Sequence, residues 1–264
     1  MKKVVAILLA LTLVLSLCLS AMAEDVVKIG VFEPASGSNG AGGKQEILGV
    51  QYANSVQPTV EIGGKTYTVQ LVNADNGSSA DKAPSAAQQL VSEGVSVVLG
   101  SYGSGVSIAG SPYFADAGIP AIGISCTNPQ VTAGNTHYFR ICFLDPFQGT
   151  VLANYAFTTL GVKKAYLLAE LGNDYDVGLC HYFEEAFKKL GGEVTSETFP
   201  SDTSDFSSYI NTATTLGAEV FFAPVSLQYS AQIIAQAAAQ NVTFPLLGGD
   251  TWDSNKVLEP AKGT

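Results

Sequence analysis

The segment Val95-Ser96-Val97-Val98-Leu99-Gly100, with the loop Ser101-Tyr102-Gly103-Ser104-Gly105 after it, decides the fold of this 264-residue chain. The first segment is an almost continuous apolar run, which is typical of a strand buried on both faces of a parallel sheet. The loop is rich in glycine and serine, and a helix is predicted after it, near residues 105–117. Strand, small-residue loop and helix form the repeating unit of an α/β protein.

The same unit recurs on both sides of this segment. Strands are predicted at Val26–Phe32, Val69–Ala74, Val95–Gly100, Ala121–Ile124, Lys164–Leu168, Glu193–Phe199, Val220–Pro224 and Leu246–Gly248. Helices are predicted near residues 44–56, 81–93, 105–117, 147–160, 176–190, 206–216 and 229–240. This alternation predicts βαβ units and doubly wound parallel sheets.

One stretch, Thr59–Gln70, departs from the alternation. Val60 and Ile62 precede Gly63-Gly64, and alternating apolar residues follow the glycines. Two glycines between two such segments favour a tight β-hairpin, because glycine readily adopts the positive φ of the turn. We therefore expect one antiparallel pair of strands here.

A second break, at Leu144-Asp145-Pro146, divides the chain. A short strand, Tyr138-Phe139-Arg140, precedes it, and a new helix is predicted to begin at Phe147. We predict two α/β lobes, residues 24–145 and 146–264, with a hinge and a cleft between them. Near the end, Asn255–Pro260 resembles the start of a helix that nothing completes. We therefore expect a C-terminally truncated chain whose first lobe exposes an apolar face.

The N-terminus has the pattern of a secretory leader. Lys2 and Lys3 precede the uncharged run Val4–Leu19, and Ala21-Met22-Ala23 matches a cleavage site. The strongly apolar stretch is shorter than the ~20 residues of a membrane span. Cys18 raises the alternative of a lipid anchor, but the residue before it is a leucine rather than a small residue. We predict an exported protein with residues 1–23 removed.

The charge of the chain excludes some partners. The formal net charge is −10, and it becomes −12 once the leader, with its two lysines and no acids, is removed. Binding to phosphate groups depends on Lys and Arg, so nucleic acid and anionic lipid are not expected partners. We expect a monomer.

Three cysteines remain after the leader, Cys126, Cys142 and Cys180, and they do not form a C-x-x-C motif. A disulfide-rich scaffold is excluded by this count and by the length of the chain. Two possibilities stay open, namely buried free thiols and one disulfide with one thiol left over.

The sequence lacks the usual catalytic and metal-binding motifs. Gly43-Lys44 is followed by glutamine, so it does not complete a phosphate-binding loop. Ser107, in Gly105–Ala109, lies within a predicted helix rather than at a nucleophile elbow. His137 and His181 do not have the spacing of metal ligands. We predict a protein that is not an enzyme and has no metal or cofactor.

Polar and aromatic side chains follow the predicted strands at their carboxyl ends, where ligands bind open α/β sheets. The candidates are Tyr102, Ser104, Ser125, Thr127, Tyr175, Ser226, Asp250 and Trp252. Ser104 and Thr127 fit a carboxylate, whereas Asp250 fits an ammonium group. Tyr175 and Trp252 offer flat apolar area. We predict a site for a small zwitterion; ordinary turn and capping roles are the alternative for each residue.

A set of short motifs carries a resemblance to a known family. They are Lys28-Ile29-Gly30-Val31, Ala35-Ser36-Gly37, Gly100–Ser104, Gly118-Ile119-Pro120, Ser125-Cys126-Thr127-Asn128-Pro129, Tyr138-Phe139-Arg140, Asn173-Asp174-Tyr175 and Gly248–Asp253. In order and spacing they resemble the leucine/isoleucine/valine-binding proteins, which are substrate-binding subunits of ABC importers with a type I periplasmic binding fold. The resemblance covers the mature chain and implies permease subunits as partners.

The resemblance also implies roles for particular residues. Ser104 and Thr127 would bind the α-carboxylate of an amino acid. The carbonyl of Ser125 and the carboxylate of Asp250 would bind its α-ammonium group, and Tyr175 would close over the ligand from the second lobe.

Two residues depart from the family pattern. Ser226 and Gly42 stand where family members often carry aromatic residues, so the side chain of the ligand is the least determined feature. A branched-chain or similar amino acid is expected; an amide, a small peptide or an aromatic acid, taken up or sensed, is the alternative. The family's final segment crosses back to the first lobe, which agrees with a truncated chain.

Cleavage of the leader can be checked on the exported protein. Mass spectrometry should show Glu24 as the first residue, because Ala21-Met22-Ala23 places small side chains where signal peptidase reads them. A mature protein that begins at a diacylated Cys18 would contradict this expectation.

Overall fold

The computed structural model describes residues 25–262, in which strands and helices alternate as the apolar runs predict. The strands are β1 Val26–Glu33, β2 Thr59–Ile62, β3 Lys65–Asp75, β4 Val97–Leu99, β5 Ala121–Gly123, β6 Tyr138–Arg140, β7 Lys164–Glu170, β8 Glu193–Phe199, β9 Val220–Phe222 and β10 Leu246–Leu247. The helices are α1 Gly40–Val56, α2 Ala83–Ser92, α3 Ser104–Asp116, α4 Asp145–Asn154, α5 Asp174–Lys189, α6 Ser207–Thr215 and α7 Leu227–Ala239.

The first sheet has the order β2-β3-β1-β4-β5-β6. All of its pairs are parallel except the hairpin of β2 and β3. Strand β1 has β3 on one side and β4 on the other, so the chain winds outward from β1 in both directions. A crevice therefore opens between the carboxyl ends of β1 and β4, which is where ligands bind doubly wound sheets.

The second sheet is parallel, with the order β10-β9-β7-β8. β7, which comes first in the chain, lies between β8 on one side and β9 on the other. The corresponding crevice opens between the carboxyl ends of β7 and β9. Both predicted lobes thus contain a doubly wound parallel sheet, as the sequence predicts.

The predicted hairpin is confirmed. Ile62 pairs with Lys65 across the turn, and β2 and β3 run antiparallel. Gly63 and Gly64 have φ values of +60° and +79°, which only glycine adopts without strain at both positions.

The core of the second lobe lies on both faces of its sheet, because successive side chains of a strand point to opposite faces. Leu167 of β7 packs with Phe183 of α5 and Phe222 of β9. Leu168, its neighbour in the chain, packs on the other face with Phe206 and with residues of α6 and α7. This alternation explains why β7 is apolar from Ala165 to Ala169, and why both faces carry helices.

The two faces of the first sheet are not equally covered by helices. On one face, Phe32, Leu90, Val98 and Phe114 form a core with α2 and α3. The other face forms an apolar groove beside α1. Its walls include Ile29, Val50, Ala53, Leu71, Leu99, Ile122, Ile124 and Ile141. The exposed apolar face predicted for the first lobe is therefore present in residues 25–262.

Some boundaries differ from the prediction. Helix α4 begins at Asp145 rather than Phe147, because proline is tolerated in the first helical turn. It continues into a π-helical turn at Tyr155–Thr159. Residues Asn255–Val257 form a short 3₁₀ turn. The leader and Cys18 lie outside the described residues. Within residues 25–262, no helix has the length and apolar character to cross a membrane.

Two glycines provide a matched test of core packing. A Cβ atom on Gly110, in α3, would lie 2.6 Å from Cζ of Phe32, which is fully buried. Gly110→Ala should therefore lower the free energy of unfolding by about 1–3 kcal/mol, as overpacked cores do. A Cβ atom on Gly49, in α1, would lie in open space. Gly49→Ala should therefore raise the free energy of unfolding by roughly 0.5–1 kcal/mol, because alanine loses less backbone entropy than glycine in a helix. Urea denaturation measures both, and equal effects would contradict this packing.

Candidate ligand-binding cleft

The two crevices face each other across a cavity of about 170 Å³. Its wall in the first lobe comes from the loops after β1, β3, β4 and β5. Its wall in the second lobe comes from the loops after β7, β9 and β10. The polar wall residues are Asn39, Ser78, Tyr102, Ser104, Ser125, Glu170, Asn173, Asp174, Tyr175, Asp176, Ser226, Asp250 and Thr251.

The structure brings together six of the eight residues predicted for the site. The six on the wall of the cavity are Tyr102, Ser104, Ser125, Tyr175, Ser226 and Asp250. Thr127 and Trp252 lie elsewhere in the structure.

Asp250 is the centre of a hydrogen-bonded group in the second lobe. The hydroxyl of Tyr175 donates to Oδ1 of Asp250 at 2.5 Å, and Nε2 of Gln148 donates to the same oxygen at 3.0 Å. The Asp250 amide donates to Oε1 of Gln148 at 2.8 Å. Gly249 allows the close approach, because a Cβ there would lie 2.2 Å from the Tyr175 hydroxyl oxygen. The carboxylate is thus held in a fixed orientation by neutral donors.

The Tyr175 hydroxyl remains a donor because burial, followed by the charge of Asp250, raises its pKa well above the usual range. Proton loss would place a second negative charge against the Asp250 carboxylate. The sequence did not identify Gln148 as part of this group, since it lies on α4, far from the motif that contains Asp250. Only its position at the start of a helix beside the hinge could have pointed to it.

The first lobe presents the N-terminus of α3 to the same cavity. Ser104 is the first residue of this 13-residue helix and is 1% exposed. Its Oγ accepts a hydrogen bond from the Asn128 amide at 3.1 Å. Gly105 and Val106, in the first turn, also line the cavity. Unpaired amides and the helix dipole make this end of α3 suited to a carboxylate.

Thr127 and Trp252 do not line the cavity. Thr127 is fully buried, and its hydroxyl lies beside the carboxyl group of Asp145. Trp252 packs over Gly248 and against the core of the second lobe. Its direction follows from the 3₁₀ turn Asp250–Trp252. With three residues per turn, the first and third side chains point in different directions, so Trp252 faces the core while Asp250 faces the cavity.

Tyr102 occupies the space above Gly42. A Cβ atom on Gly42 would lie 2.5 Å from Cε2 of the Tyr102 ring. The Tyr102 amide donates to Oε2 of Glu33 at 2.6 Å, which fixes the start of the loop after β4. Burial and the nearby Asp250 carboxylate raise the pKa of the Tyr102 phenol. The Tyr102 ring, from the loop after β4, therefore fills the space that a side chain at position 42 would occupy.

The lobes contact each other beside the cavity. Nδ2 of Asn128, in the first lobe, donates to the carbonyl oxygen of Asp174, in the second, at 2.7 Å. The Asp174 carboxylate also approaches Gly105, where a Cβ atom would lie 3.0 Å from Oδ2. A ligand in the cavity would therefore contact both lobes.

The wall of the cavity carries negative but not positive side chains. Glu170, Asp174 and Asp250 line it, together with Asp176, whose carboxyl pKa is raised well above its usual range by burial; none of the described lining residues is Lys, Arg or His. Arg140, near the hinge, instead donates to backbone carbonyls, including that of Cys126 at 3.0 Å. A positively charged ligand group is favoured by this wall, and a carboxylate has to be bound by hydroxyl and amide donors.

Asp145 lies beneath this region, at the start of α4. Burial is the main cause that raises the pKa of its carboxyl group to about 7, and the charge of Asp250 adds to it. The Thr127 hydroxyl and the positive charge of Arg140 act in the opposite direction. Asp145 is fully buried, so its ionisation is costly in the folded protein.

Comparisons with known proteins give one consistent family. The family model described as "Periplasmic binding protein" matches residues 26–263. An amino acid binding protein of Pseudomonas aeruginosa is 30% identical over 259 residues, covering 97% of this chain and 68% of the relative. The chain thus spans about two thirds of the length of this relative.

Two solved structures are also similar to this chain. The leucine-binding protein LivK of Thermotoga maritima has a TM-score of 0.85 and 32% identity, over 90% of this chain and 67% of that chain. LivJ of Streptococcus pneumoniae, solved in complex with isoleucine, has a TM-score of 0.80 and 29% identity, over 90% and 68% of the two chains.

The buried Asp145 predicts a pH dependence of stability. Folding raises the pKa of the Asp145 carboxyl group. Its contribution to the free energy of unfolding is therefore fully present below the pKa that this group has in the unfolded chain, and it is lost as pH rises through about 7. Between pH 5 and pH 8 this loss is about 2–3 kcal/mol, at 1.36 kcal/mol for each tenfold change in proton affinity. Asp145→Asn should reduce the difference in unfolding free energy between these pH values by that amount. An unchanged difference in urea denaturation would show that Asp145 ionises normally in the folded state.

Proposed function

Because this chain belongs to the periplasmic binding protein family, we propose that it is the extracytoplasmic receptor of an ABC importer and binds an amino acid between its lobes. In this proposal the lobes are residues 24–145 and 146–264, and they close about a hinge near Leu144–Pro146. The monomeric, closed receptor then delivers its ligand to permease subunits. Residues 1–23 are removed on export.

The observation that supports this proposal most is the orientation of Asp250. Its carboxylate lies on the cavity wall and is held by Tyr175 and Gln148. Neither donor carries a positive charge, so a cationic ligand group can still pair with this carboxylate. An α-ammonium group satisfies both the charge and the hydrogen-bonding capacity of such a carboxylate.

The first lobe, which faces Asp250 across the cavity, offers groups that can bind the carboxylate of a zwitterion. In the proposal, the α-carboxylate lies at the N-terminus of α3 and accepts from first-turn amides and from the Ser104 hydroxyl. In the second lobe, the Oγ of Ser226 has no hydrogen-bond partner within residues 25–262, although this residue is 2% exposed. A buried hydroxyl on a cavity wall favours a polar ligand, which would satisfy it.

The composition of the wall bears on the side chain of the ligand. Its apolar side chains are only Ala80, Val106 and Leu171, apart from the rings of two tyrosines. A branched aliphatic side chain gains binding energy only from apolar surroundings. We therefore favour an amino acid with a small or polar side chain over a branched-chain one.

A receptor for an amide, a small peptide or an aromatic acid is the second candidate function. The polar wall and the phenol groups of Tyr102 and Tyr175 offer hydrogen bonds to any of these ligands. Asp250 separates an amino acid from an amide or an aromatic acid, because neither of these has a cation to pair with it, whereas a small peptide has an ammonium group. A thermal-shift screen against amino acids, amides and aromatic acids identifies the class, since a ligand that binds only the folded state raises its stability.

Asp250→Asn tests the proposal directly. It keeps the shape and a hydrogen-bond acceptor for Tyr175 but removes the charge. Loss of one partner of a desolvated ion pair costs roughly 3–5 kcal/mol, so the affinity for the amino acid should fall by about two to three orders of magnitude. Calorimetry with the amino acid found in the screen measures the change.

Asp253→Asn is the matched control for this experiment. Asp253 is exposed and lies just past the same turn, away from the wall of the cavity. The Asp253→Asn substitution removes an equal charge close to the cavity. Because a surface charge is screened by solvent, its effect on the affinity for the amino acid should be less than about tenfold. Equal effects of the two variants, or an unchanged affinity in Asp250→Asn, would remove the support for an ammonium-bearing ligand.

A further inference from the structure

Two of the three cysteines in residues 25–262 lie together beside the cavity. Cys126 stands between Ser125 and Thr127, in the loop after β5, and is 1% exposed. Cys142 comes two residues after β6, at the crossover to the second lobe, and is partly exposed. The two thiol groups lie close enough for each to shift the pKa of the other.

Backbone contacts hold the two segments side by side. The Ile141 amide donates to the Gly123 carbonyl at 3.1 Å, just before both cysteines. The Asp145 amide donates to the Thr127 carbonyl at 3.1 Å, just after them. The two cysteines therefore lie on adjacent segments that are tethered to each other both before and after the pair.

Gly123 leaves room for one of the sulfur atoms. A Cβ atom at Gly123 would lie 2.2 Å from Sγ of Cys126. Any larger residue in β5 would therefore displace the Cys126 side chain from its position against Tyr138, whose ring lies 3.2 Å from the same point. Gly123 is thus needed to keep the Cys126 sulfur in its place, although this glycine lies in a strand rather than in a turn.

The two thiols differ in acidity and in access. A hydrogen bond from the Cys142 thiol is the main cause that lowers the pKa of Cys126 to about 7, and the charge of Arg140 helps. The pKa of Cys142 is raised, because losing its proton would remove this bond. Cys142 is the accessible thiol, and Cys126 is the one that carries the thiolate near neutral pH.

We propose that Cys126 and Cys142 form a disulfide when the protein meets a disulfide oxidant. The Cys126 thiolate first takes the proton of Cys142, and the Cys142 sulfur attacks the external disulfide, forming a mixed disulfide and releasing one small thiolate. This small thiolate then takes the proton back from Cys126 and leaves as a thiol. The Cys126 thiolate then attacks the Cys142 sulfur and releases the second small thiol. Two protein thiols are oxidised and one external disulfide is reduced to two thiols, so atoms and electrons balance.

The bond ties the Ser125–Thr127 segment to the crossover between the lobes. If the proposed function is right, oxidation fixes part of the ligand-binding wall to the hinge region. The export expected for the family places the protein where such disulfides form and persist. Formation of the bond does not depend on the ligand, so it can be tested separately from the proposed function.

The test is made on the folded mature chain, incubated with oxidised glutathione and then denatured, alkylated and analysed by mass spectrometry. We expect a protein lighter by two hydrogens before alkylation, with Cys180 as the alkylated residue and a peptide cross-link between Cys126 and Cys142. The chain treated with reductant should take three alkyl groups.

Two variants complete the experiment. Cys180→Ser should still form the cross-link, because Cys180 lies in the core of the second lobe, on α5. Cys142→Ser should leave Cys126 reduced, and reductant should no longer change its thermal midpoint, whereas it should lower the midpoint of the oxidised parent. Three free thiols after oxidation, a stable glutathione adduct on Cys142, or a bond to Cys180 would overturn the proposal.

Discussion

The cleft depends on one constraint, which is that the parallel strands of each sheet end at a common edge. In the first sheet, β1, β4 and β5 deliver their loops to that edge, and in the second β7, β9 and β10 do the same. The residues on the wall of the cavity therefore come from short loops far apart in the chain. The order of the strands then places a crevice beside β1 and another beside β7, and these two crevices form the cavity.

The chemistry of the cleft follows from the different groups that the two edges supply. The second lobe holds the Asp250 carboxylate by hydrogen bonds from neutral donors, and the first lobe offers the N-terminus of α3. A ligand with opposite charges at its two ends would bind each lobe through a different group. Its binding energy would then favour the closed arrangement of the lobes, because only that arrangement makes both contacts. In this way, recognition and closure would have the same physical cause.

The sequence predicted the alternation of elements, both doubly wound sheets, and the hairpin at Gly63-Gly64, because local periodicity and turn chemistry determine these features. It also predicted five of the loops that reach the cavity, those after β4, β5, β7, β9 and β10, but not the loops after β1 and β3. It could not predict which way a side chain leaves a short turn. Asp250 and Trp252 belong to the same motif, yet the 3₁₀ turn directs them to different environments.

Other features depended on long-range contacts. Gln148 reaches Asp250 from a helix about a hundred residues earlier in the chain, and no local pattern marks it. Tyr102 fills the space above Gly42 only because the first turn of α1 and the loop after β4 lie side by side. Thr127 lies beside Asp145, which the start of α4 places beneath the cavity. In each case the residue type was visible in the sequence, while its partner was set by tertiary packing within a lobe.

The most direct measurement is a crystal structure of the protein with its bound amino acid. The ammonium nitrogen should lie within about 3 Å of an oxygen of Asp250, and the carboxylate should accept from the Ser104 hydroxyl and the first amides of α3. Tyr175 and Gln148 should still donate to Asp250. An amino acid bound with its ammonium group away from Asp250, or bound in the apolar groove of the first sheet, would contradict recognition of a zwitterion between the lobes.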